Sequence, residues 1–428
     1  MIRKSPSEPE SPGLTGPVGS AMHDRLQPAH CIDCAPGGAD RPIAGAMSGQ
    51  RHDPLPPRSA LELRQRQERG ELRVRTAAAY RQLVQELGLA EAYAATDVVV
   101  AADAGFSDQG SLQLSLGPTD PPIRLRELQL GGVTGLASGG PGELVLPIGG
   151  GGAQVLEALL RGEARPFAAS GEATAQHPRR ELHTNLDLSR IGVARLLLQR
   201  AIVENGLVAC SSAAGLCASP WGPLLGPHHT ALYSCGGAGS IGLTMPGLAQ
   251  LGPGSPVLVA GATGWVLGAG SGHQPGVRRQ PSGHATSPGA VAALAVDLAE
   301  LDRRWLRACA FEGHGSALLV AIAAPVQLLD ASSARQAAAT PEQLQAPVLD
   351  LAIPRRVKPS LGTVSYAELA SGRVAVGGQR LRCAPAHSPR LAAEISAELV
   401  ERLEQNRFPL QLPLQPLAQR SSLQPLDP

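Results

Sequence analysis

Residues 230–276 read TALYSCGGAGSIGLTMPGLAQLGPGSPVLVAGATGWVLGAGSGHQPG. Two short apolar runs in this stretch, Ala231–Tyr233 and Val257–Ala260, have the composition of β-strands, and each leads into glycine-rich sequence. Because glycine has no Cβ, such a loop lets backbone N–H groups approach a ligand closely. The pattern predicts an α/β fold with mixed sheets, in which glycine-rich loops at the strand ends form a small-molecule site. The alternative is that the glycines only make the turns of a compact domain.

The glycine-rich sequences after these two runs supply most of the candidate site. Cys235 opens the first loop, where backbone N–H dipoles would favour the thiolate; burial among small residues is the alternative. His273 lies in the second loop, residues 261–276, where a histidine has little core to fill and can act as a general acid or base. We expect both loops to meet at one pocket with His273 at its rim. The candidate catalytic residues are Cys235 and His273, and the candidate substrate-binding glycines are Gly236, Gly237, Gly239, Gly270 and Gly272.

Charged and titratable residues outside this stretch complete the candidate site. Arg179 and Arg180 are adjacent and could hold a substrate carboxylate through paired hydrogen bonds, although a solvated basic pair is the alternative. His314 has glycine on both sides and is a second, weaker candidate for contact with substrate. Lys358 either binds an anion or is solvated.

The composition excludes several classes of function. The chain has 428 residues and a net charge of +1, which gives no basic field for nucleic acid or an anionic membrane. No apolar run is long enough to span a bilayer, and the N-terminus has no apolar segment of the signal-peptide type. An odd number of cysteines, 7, favours free thiols in a reducing compartment, so we expect a cytoplasmic protein. The motif Cys31-Ile-Asp-Cys34 lacks the second pair that a structural zinc site needs, so we expect no bound metal.

Changes in composition along the chain indicate its organisation. The first residues are rich in Pro, Gly, Ser and charge and have no hydrophobic period, which is typical of disorder. Near the C-terminus, Val374–Leu381 has the pattern of a hairpin with a Gly-Gly turn, and a helix capped by Ser388 follows it. The predicted units are a disordered extension (1–57), a main α/β domain (58–330), a hairpin–helix unit packing on it (348–410) and an extended tail (411–428).

Two further helices are predicted from spacing and capping residues. Thr76 is a plausible N-cap for an amphipathic helix that Gly88 ends. In residues 191–202 the apolar side chains recur at helical spacing, and either Asp187 or Ser189 could cap that helix.

The order of several segments carries a resemblance to a known family. These segments are Gly105-Phe-Ser, Gly117–Ile123, the glycine run before Val155, His177–Glu181, Cys210–Leu225, Tyr233 with its glycines, Gly261–Pro275, Phe311–Pro325 and Lys358–Leu369. In this order, over residues 60–410, the chain resembles the homocysteine biosynthesis, sulfur-incorporation family. Each segment is weak evidence alone, and their shared order is what makes the resemblance strong.

The resemblance implies a specific chemistry. Members of this family are understood as L-aspartate-semialdehyde sulfurtransferases, in which a cysteine takes up sulfur as a persulfide and delivers it to the aldehyde carbon. Reduction with electrons from a ferredoxin-type partner protein then gives homocysteine. The resemblance therefore implies a small-molecule substrate, no bound cofactor and an external electron donor, and it leaves formation of a homo-oligomer open.

The chain departs from the family pattern at two places where cysteines are expected. One place, in the loop after the first long strand, holds Asp108, and the other, just before His177-Pro-Arg, holds Gln176. Neither side chain can form a persulfide. Two hypotheses follow. The protein is a sulfur-incorporating enzyme that uses an external sulfide donor or a displaced thiol such as Cys235, or it is a non-catalytic relative that binds a small carboxylate metabolite or a partner protein.

Overall fold

The computed structural model describes residues 55–140 and 142–426. The predicted disordered extension lies outside the described residues except for residues 55–57, and the Cys31–Cys34 motif lies outside them entirely. The described chain has α/β structure with mixed sheets, which confirms the predicted fold class. No helix in this part is long and apolar enough to cross a membrane.

The strands and helices are numbered in chain order. The strands are β1 Val74–Thr76, β2 Val98–Ser107, β3 Gly110–Leu116, β4 Leu125–Leu130, β5 Val133–Ala137, β6 Glu143–Pro147, β7 Arg165–Gly171, β8 Glu181–Leu186, β9 Ile191–Val203, β10 Val208–Cys210, β11 Gly215–Cys217, β12 Leu224–Gly226, β13 Thr230–Tyr233, β14 Pro256–Val259, β15 Ala262–Ala269, β16 Val291–Asp297, β17 Leu306–Phe311, β18 Gly315–Gln327, β19 Gln345–Asp350, β20 Ser360–Ser365, β21 Arg373–Val376 and β22 Gln379–Pro385. The α-helices are α1 Ala60–Glu68, α2 Ala77–Leu87, α3 Leu89–Ala94, α4 Ala153–Leu160, α5 Ile241–Thr244, α6 Ala331–Ala337, α7 Tyr366–Ala370 and α8 Pro389–Glu404.

Two sheets organise the described chain. The larger has the order β1-β2-β18-β14-β15-β16-β9-β3-β6-β5-β4-β7-β8, and β17 pairs with β18. The smaller has the order β20-β19-β10-β13-β22-β21, with β10 parallel to β19 and β13 parallel to β22. Two of its pairings thus join the predicted hairpin–helix unit (348–410) to earlier strands. The predicted domain boundaries themselves stay a prediction.

Helix α8 forms as its sequence predicts. The Ser388 hydroxyl accepts a hydrogen bond from the Leu391 N–H (3.3 Å), and Pro389 occupies the first turn, where it loses no helical hydrogen bond. The helix packs over β2 and β18, and its start brings His387 beside Gly105 of β2. Its buried stripe is Leu391, Ile395, Leu399 and Leu403.

The predicted helix over residues 191–202 is wrong, because this segment is strand β9. Leu196 and Leu198 are both fully buried, which is the period of a strand, and β9 pairs with β3 on one side and β16 on the other. The register shifts in both pairings, so irregularities in the strand explain why apolar residues also recur at spacings of three and four. Asp187 caps only a short 3₁₀ turn, Leu188–Arg190.

The predicted loop at residues 261–276 is wrong for its first half, because Ala262–Ala269 form strand β15. Ala260 and Gly261 both have positive φ (44° and 86°) and form a two-residue turn between β14 and β15. The glycines that follow belong to β15 and the turn after it. In β15, Gly264 packs close to Val259 across the hairpin, and a Cβ there would lie 2.7 Å from a Val259 methyl group. The glycines therefore serve close strand packing here.

Candidate active site

Strand β2 carries a carboxylate in its middle, and two cavities meet there. Val98–Ala101 are fully buried, but Asp103 is partly exposed and lines both cavities. The first cavity, which we call the Cys235 cavity, has a volume of about 270 Å³. Since a water occupies about 30 Å³ in the liquid, this space suits a small metabolite. Its lining residues that can carry chemistry are Asp103, Asp108, Arg200, Cys235 and His387.

Cys235 follows β13 directly and reaches the cavity from the start of its glycine-rich loop. Its side chain is 8% exposed, and the Gly237 N–H points at its sulfur (3.4 Å). Burial raises the pKa of the Cys235 thiol, and the nearby Asp103 raises it further. The expectation that the loop favours a thiolate is therefore wrong. The loss of solvent raises the pKa of Cys235 by more than the hydrogen bonds to its sulfur lower it, so Cys235 is a protonated thiol before any reaction.

Asp103 has an unusual environment for a carboxylate. Its Oδ2 accepts a hydrogen bond from the Ile241 N–H (3.0 Å), and burial raises the pKa of the Asp103 carboxyl to about 6. Titratable neighbours are Cys235 and Tyr366, whose pKa values it raises in turn, and His387 lines the same cavity. The carboxylate is therefore mostly ionised at neutral pH and can hold a cation or accept a proton.

Replacement of Asp103 by asparagine should change how stability depends on pH. The folded carboxyl has a raised pKa, so between pH about 4 and 6 the native protein keeps a proton that the unfolded chain has lost. The free energy of unfolding of the wild type should therefore fall as the pH rises from about 4 to 6, and it should stay at the lower value at higher pH. We expect Asp103→Asn, which can still accept the Ile241 hydrogen bond, to be near wild type at pH 4. Above pH 6 it should be more stable by on the order of 2 kcal/mol.

The measurement for Asp103→Asn is urea unfolding of both proteins across this pH range. Asp120→Asn, at an exposed position, is the matched control. A difference between Asp103→Asn and wild type that stays constant with pH would contradict the assigned environment of Asp103.

Asp108 and His314 form a pair at the Cys235 cavity. The His314 Nε2 lies 2.9 Å from the Asp108 Oδ2, and the two side chains are 23% and 24% exposed. Asp108 sits in the turn between β2 and β3, and His314 in the turn between β17 and β18. Asp108 thus lines the same cavity as Cys235. His314 contacts this lining residue but does not itself line the cavity.

Arg200 supplies positive charge to the Cys235 cavity. It lies on β9, and its Nη1 donates to the Ser271 carbonyl (2.9 Å). Burial lowers the pKa of the Arg200 guanidinium, and the nearby Asp108 opposes that change. The remaining guanidinium N–H groups can bind an anionic or carbonyl group in the cavity.

His387 stands where the two cavities meet. Its ring packs edge-on against Tyr233 with centroids 5.2 Å apart, and its Nδ1 is buried without a hydrogen-bond partner among the described residues. Burial lowers the pKa of the His387 imidazole, so the ring is neutral at pH 7 and can accept a proton.

The second cavity, which we call the Arg81 cavity, lies on the other side of Asp103 and has a volume of about 390 Å³. It shares Asp103, Ala104 and His387 with the Cys235 cavity. Arg81 of α2 and Ser240 also line it.

The candidate glycines divide between packing and cavity lining. Gly236 and Gly239 line the Arg81 cavity. A Cβ at Gly237 would lie 2.5 Å from the ring of Tyr366, and one at Gly270 would lie 2.3 Å from the Gln199 carbonyl. Gly272 has φ +74° and lies against Arg200. Gly237 and Gly270 therefore allow close packing, and Gly236 and Gly239 are the glycines with space for a ligand beside them.

The prediction that His273 lies at the rim of the pocket is wrong. Its side chain is fully buried, and its Nδ1 accepts a hydrogen bond from the Val291 N–H (3.0 Å). Its backbone carbonyl accepts from the Leu423 N–H (3.3 Å), so the C-terminal tail covers the turn that carries it. His273 holds β16 in place, behind the Cys235 cavity, and does not line that cavity.

The remaining predicted residues lie away from the Cys235 cavity. Arg179 lines a separate cavity beside Pro122, and its guanidinium donates to the Glu181 carbonyl (3.0 Å). Arg180 and Gln176 are exposed. The Lys358 ammonium donates to the Ile353 carbonyl (2.6 Å) and anchors the loop before β20. These side chains do not converge with Cys235, so any role in substrate binding stays a prediction.

Four residues that line the cavities were missed by the sequence analysis. Asp103 and Arg200 are charged residues inside apolar strands, and Asp is depleted in strands, so their setting was a usable signal. Arg81 and His387 gave no local signal, because an arginine on a helix and a histidine before a cap are common. Within the described chain, no cluster of three or more His, Cys, Asp or Glu side chains could hold a metal ion.

Comparison with known proteins shows to which family the chain belongs. The family model described as homocysteine biosynthesis enzyme, sulfur-incorporation matches residues 72–410. An L-aspartate semialdehyde sulfurtransferase of Methanosarcina acetivorans is 29% identical over 374 residues, which covers 85% of this chain and 73% of that protein. A protein of the same name from Methanocaldococcus jannaschii is 27% identical over 333 residues, covering 73% of this chain and 62% of that protein. No solved structure matches the chain. The matched region contains both cavities, and the chain belongs to the homocysteine biosynthesis, sulfur-incorporation family.

Proposed function

We propose that this protein incorporates sulfur into aspartate semialdehyde, or a related small aldehyde, in homocysteine biosynthesis. The observation that carries the proposal is the meeting of Cys235, Asp103, Arg200 and Asp108 at one small cavity, with His314 in contact with Asp108. The names of the relatives support the substrate class, since both are L-aspartate semialdehyde sulfurtransferases.

Each group at the Cys235 cavity has a part in this chemistry. Cys235 is the cysteine that lines the cavity among the described residues, so it is the group that can carry sulfur to the aldehyde carbon. Because its thiol is protonated at rest, it needs a base, and His387 is a neutral imidazole at the same cavity. Arg200 can hydrogen-bond the aldehyde oxygen and stabilise negative charge that develops there.

The Asp108–His314 pair gives the cavity a second group that can exchange protons. Asp108 lines the cavity and is held by His314, and through Asp108 the pair can supply a proton to the carbonyl oxygen as that oxygen leaves as water. Transfer of the outer persulfide sulfur to the aldehyde carbon takes up two electrons and two protons, because the S–S bond to Cys235 is cleaved and the oxygen leaves as water. Reduction of the resulting thioaldehyde to a thiol takes up two more electrons and two more protons. The described residues include no group that supplies those electrons, and we assign that supply to an external ferredoxin-type partner in the cytoplasm.

The second candidate function is that of a non-catalytic relative that binds a small carboxylate metabolite. The observation that favours it is the burial of Cys235, which holds the thiol in its protonated form, together with Asp108 and Gln176 at the places where the family pattern predicts cysteine. In that case the cavities bind a ligand and no thiol product forms.

A direct assay separates the two candidates. Purified protein is incubated with aspartate semialdehyde, a persulfide donor whose outer sulfur is ³⁴S, and reduced ferredoxin, and homocysteine is measured by mass spectrometry. We expect protein-dependent formation of ³⁴S-homocysteine, because Cys235, His387 and Arg200, to which the proposal assigns sulfur transfer, proton acceptance and carbonyl binding, line one cavity. Reactions without protein, and without the aldehyde, are the controls. Tight binding of the aldehyde with no labelled product would favour the binding protein.

A further inference from the structure

We propose that the Arg81 cavity and the Cys235 cavity together bind an α-amino acid, with its carboxylate on Arg81 and Ser240 and its ammonium on Asp103. The side chain of the amino acid then extends into the Cys235 cavity. This inference rests on the proposed function, since it says where the substrate of that reaction binds. The proposed site recognises both the carboxylate and the ammonium group of the ligand.

Arg81 is a cation without a protein partner. Its Nη1 is buried and has no hydrogen-bond partner among the described residues. Burial lowers the pKa of the Arg81 guanidinium, and no neighbouring carboxylate of the described chain offsets that effect. Burial of an unpaired charge costs free energy of folding, and a bound ligand of opposite charge can offset that cost.

The cavity wall beside Arg81 carries a glycine and a buried hydroxyl. Gly239 has φ +98°, and a Cβ added there would lie 3.3 Å from the Arg81 Nη1, so any side chain would intrude on the space beside the guanidinium. The next residue, Ser240, is 2% exposed, and its hydroxyl has no hydrogen-bond partner in the described part of the chain. The Ser240 hydroxyl also lies near the Cys235 sulfur and lowers the pKa of that thiol, against the larger effect of burial. A guanidinium and a hydroxyl at one cavity match the hydrogen-bonding needs of a carboxylate.

Asp103 supplies the opposite charge in the same cavity. The loop that carries Gly239 is tied to β2, because the Gly239 carbonyl accepts from the Ala102 N–H (3.0 Å). Asp103 and Arg81 therefore line one cavity, yet they form no ion pair with each other. Two unpaired, opposite charges at one cavity fit a zwitterion between them.

The position of Asp103 also sets where the rest of the ligand goes. Asp103 lines both cavities. Cys235 lines the Cys235 cavity, and the next residue, Gly236, lines the Arg81 cavity. A ligand held by its ammonium at Asp103 has its side chain directed away from Arg81, into the cavity that contains the thiol. A four-carbon α-amino acid with a terminal aldehyde fits this arrangement.

The test uses unreactive ligands, so that binding is measured apart from turnover. L-Homoserine has a hydroxyl in place of the aldehyde, 3-aminopropan-1-ol lacks its carboxylate, and 4-hydroxybutyrate lacks its ammonium. By isothermal titration calorimetry, we expect the wild-type protein to bind L-homoserine at least about tenfold more tightly than either truncated ligand. Arg81→Gln should lose the preference over 3-aminopropan-1-ol, and Asp103→Asn the preference over 4-hydroxybutyrate. Arg69→Gln, at an exposed surface pair with Glu71, should keep both preferences.

The outcomes separate this inference from the proposed function. If the predicted ligand preferences are observed but no homocysteine forms, the amino-acid site is supported and the proposed sulfur incorporation is contradicted. If homocysteine forms and Arg81→Gln binds L-homoserine as wild type does, the site assignment is overturned. Binding of sulfate or thiosulfate that depends on Arg81, with unchanged L-homoserine binding, would overturn it in favour of an inorganic anion site. Circular dichroism of each variant shows that it is folded.

Discussion

Cys235→Ser is expected to abolish formation of homocysteine, with a loss of several orders of magnitude. In the proposed reaction the thiol of Cys235, which lines the cavity, carries the sulfur, and serine has the same shape but cannot hold sulfane sulfur. Because the side chain is 8% exposed and nearly isosteric with serine, the fold and the binding of L-homoserine should persist. The measurement is the ³⁴S assay, together with mass spectrometry of the labelled protein to find sulfur on Cys235.

Cys210→Ser is the matched control for this experiment. Cys210 is fully buried on β10, its thiol contacts the Leu349 carbonyl (3.5 Å), and it does not line the Cys235 cavity. We expect this variant to keep the activity of the wild type, because serine can make the same contact. Full activity of Cys235→Ser would remove Cys235 from the mechanism.

Glu204→Ala is expected to lose about 3–5 kcal/mol of unfolding free energy, the cost of breaking a buried charge pair. Glu204 is fully buried at the end of β9. It pairs with Arg279 through both oxygens and accepts hydrogen bonds from the Gly247 N–H (2.6 Å) and the Ala290 N–H (2.9 Å). Alanine would leave Arg279 and both N–H groups without their acceptor.

The change at Glu204 is measured by urea unfolding of the wild type and variants. Glu401→Ala is the control, since Glu401 is 58% exposed and pairs with Arg407 at the surface, where such pairs contribute at most about 1 kcal/mol. Glu204→Gln keeps one carbonyl acceptor and should fall between the two. An equal loss for Glu204→Ala and Glu401→Ala would contradict the structural role of the buried pair.

Where the sequence carried a local signal, the predicted element is present. Helix α2 begins at Thr76, whose hydroxyl accepts from the Ala79 N–H (3.2 Å), and it ends at Gly88, which has φ +84°. The hairpin of β21 and β22 turns at Gly377 and Gly378, both with positive φ. Caps and turns depend on residues a few positions apart, so the sequence contains all the information they need.

Where the outcome depended on neighbours in the sheet, the sequence was misleading. Residues 191–202 have helical spacing but lie between β3 and β16, and the sheet hydrogen bonds on both sides outweigh that local preference. His273 has the flanking glycines of an exposed loop, yet β16 and the tail bury it. The residues around His273 in the sequence predict a turn, but they do not indicate on which side of the sheet the His273 ring lies.

The amino-acid sequence by itself determined the family, the α/β class, the capped helices and the presence of a cysteine at a glycine-rich strand end. The tertiary structure alone decided which charges stand beside that cysteine. Arg81, Asp103, Arg200 and His387 come from one helix, two strands and the position before the cap of another helix. The packing of β2 against α2, β9 and α8 brings their side chains to adjoining cavities. Burial there raises the pKa of Cys235 and Asp103, and burial depends on the whole fold, so no local pattern could have predicted it.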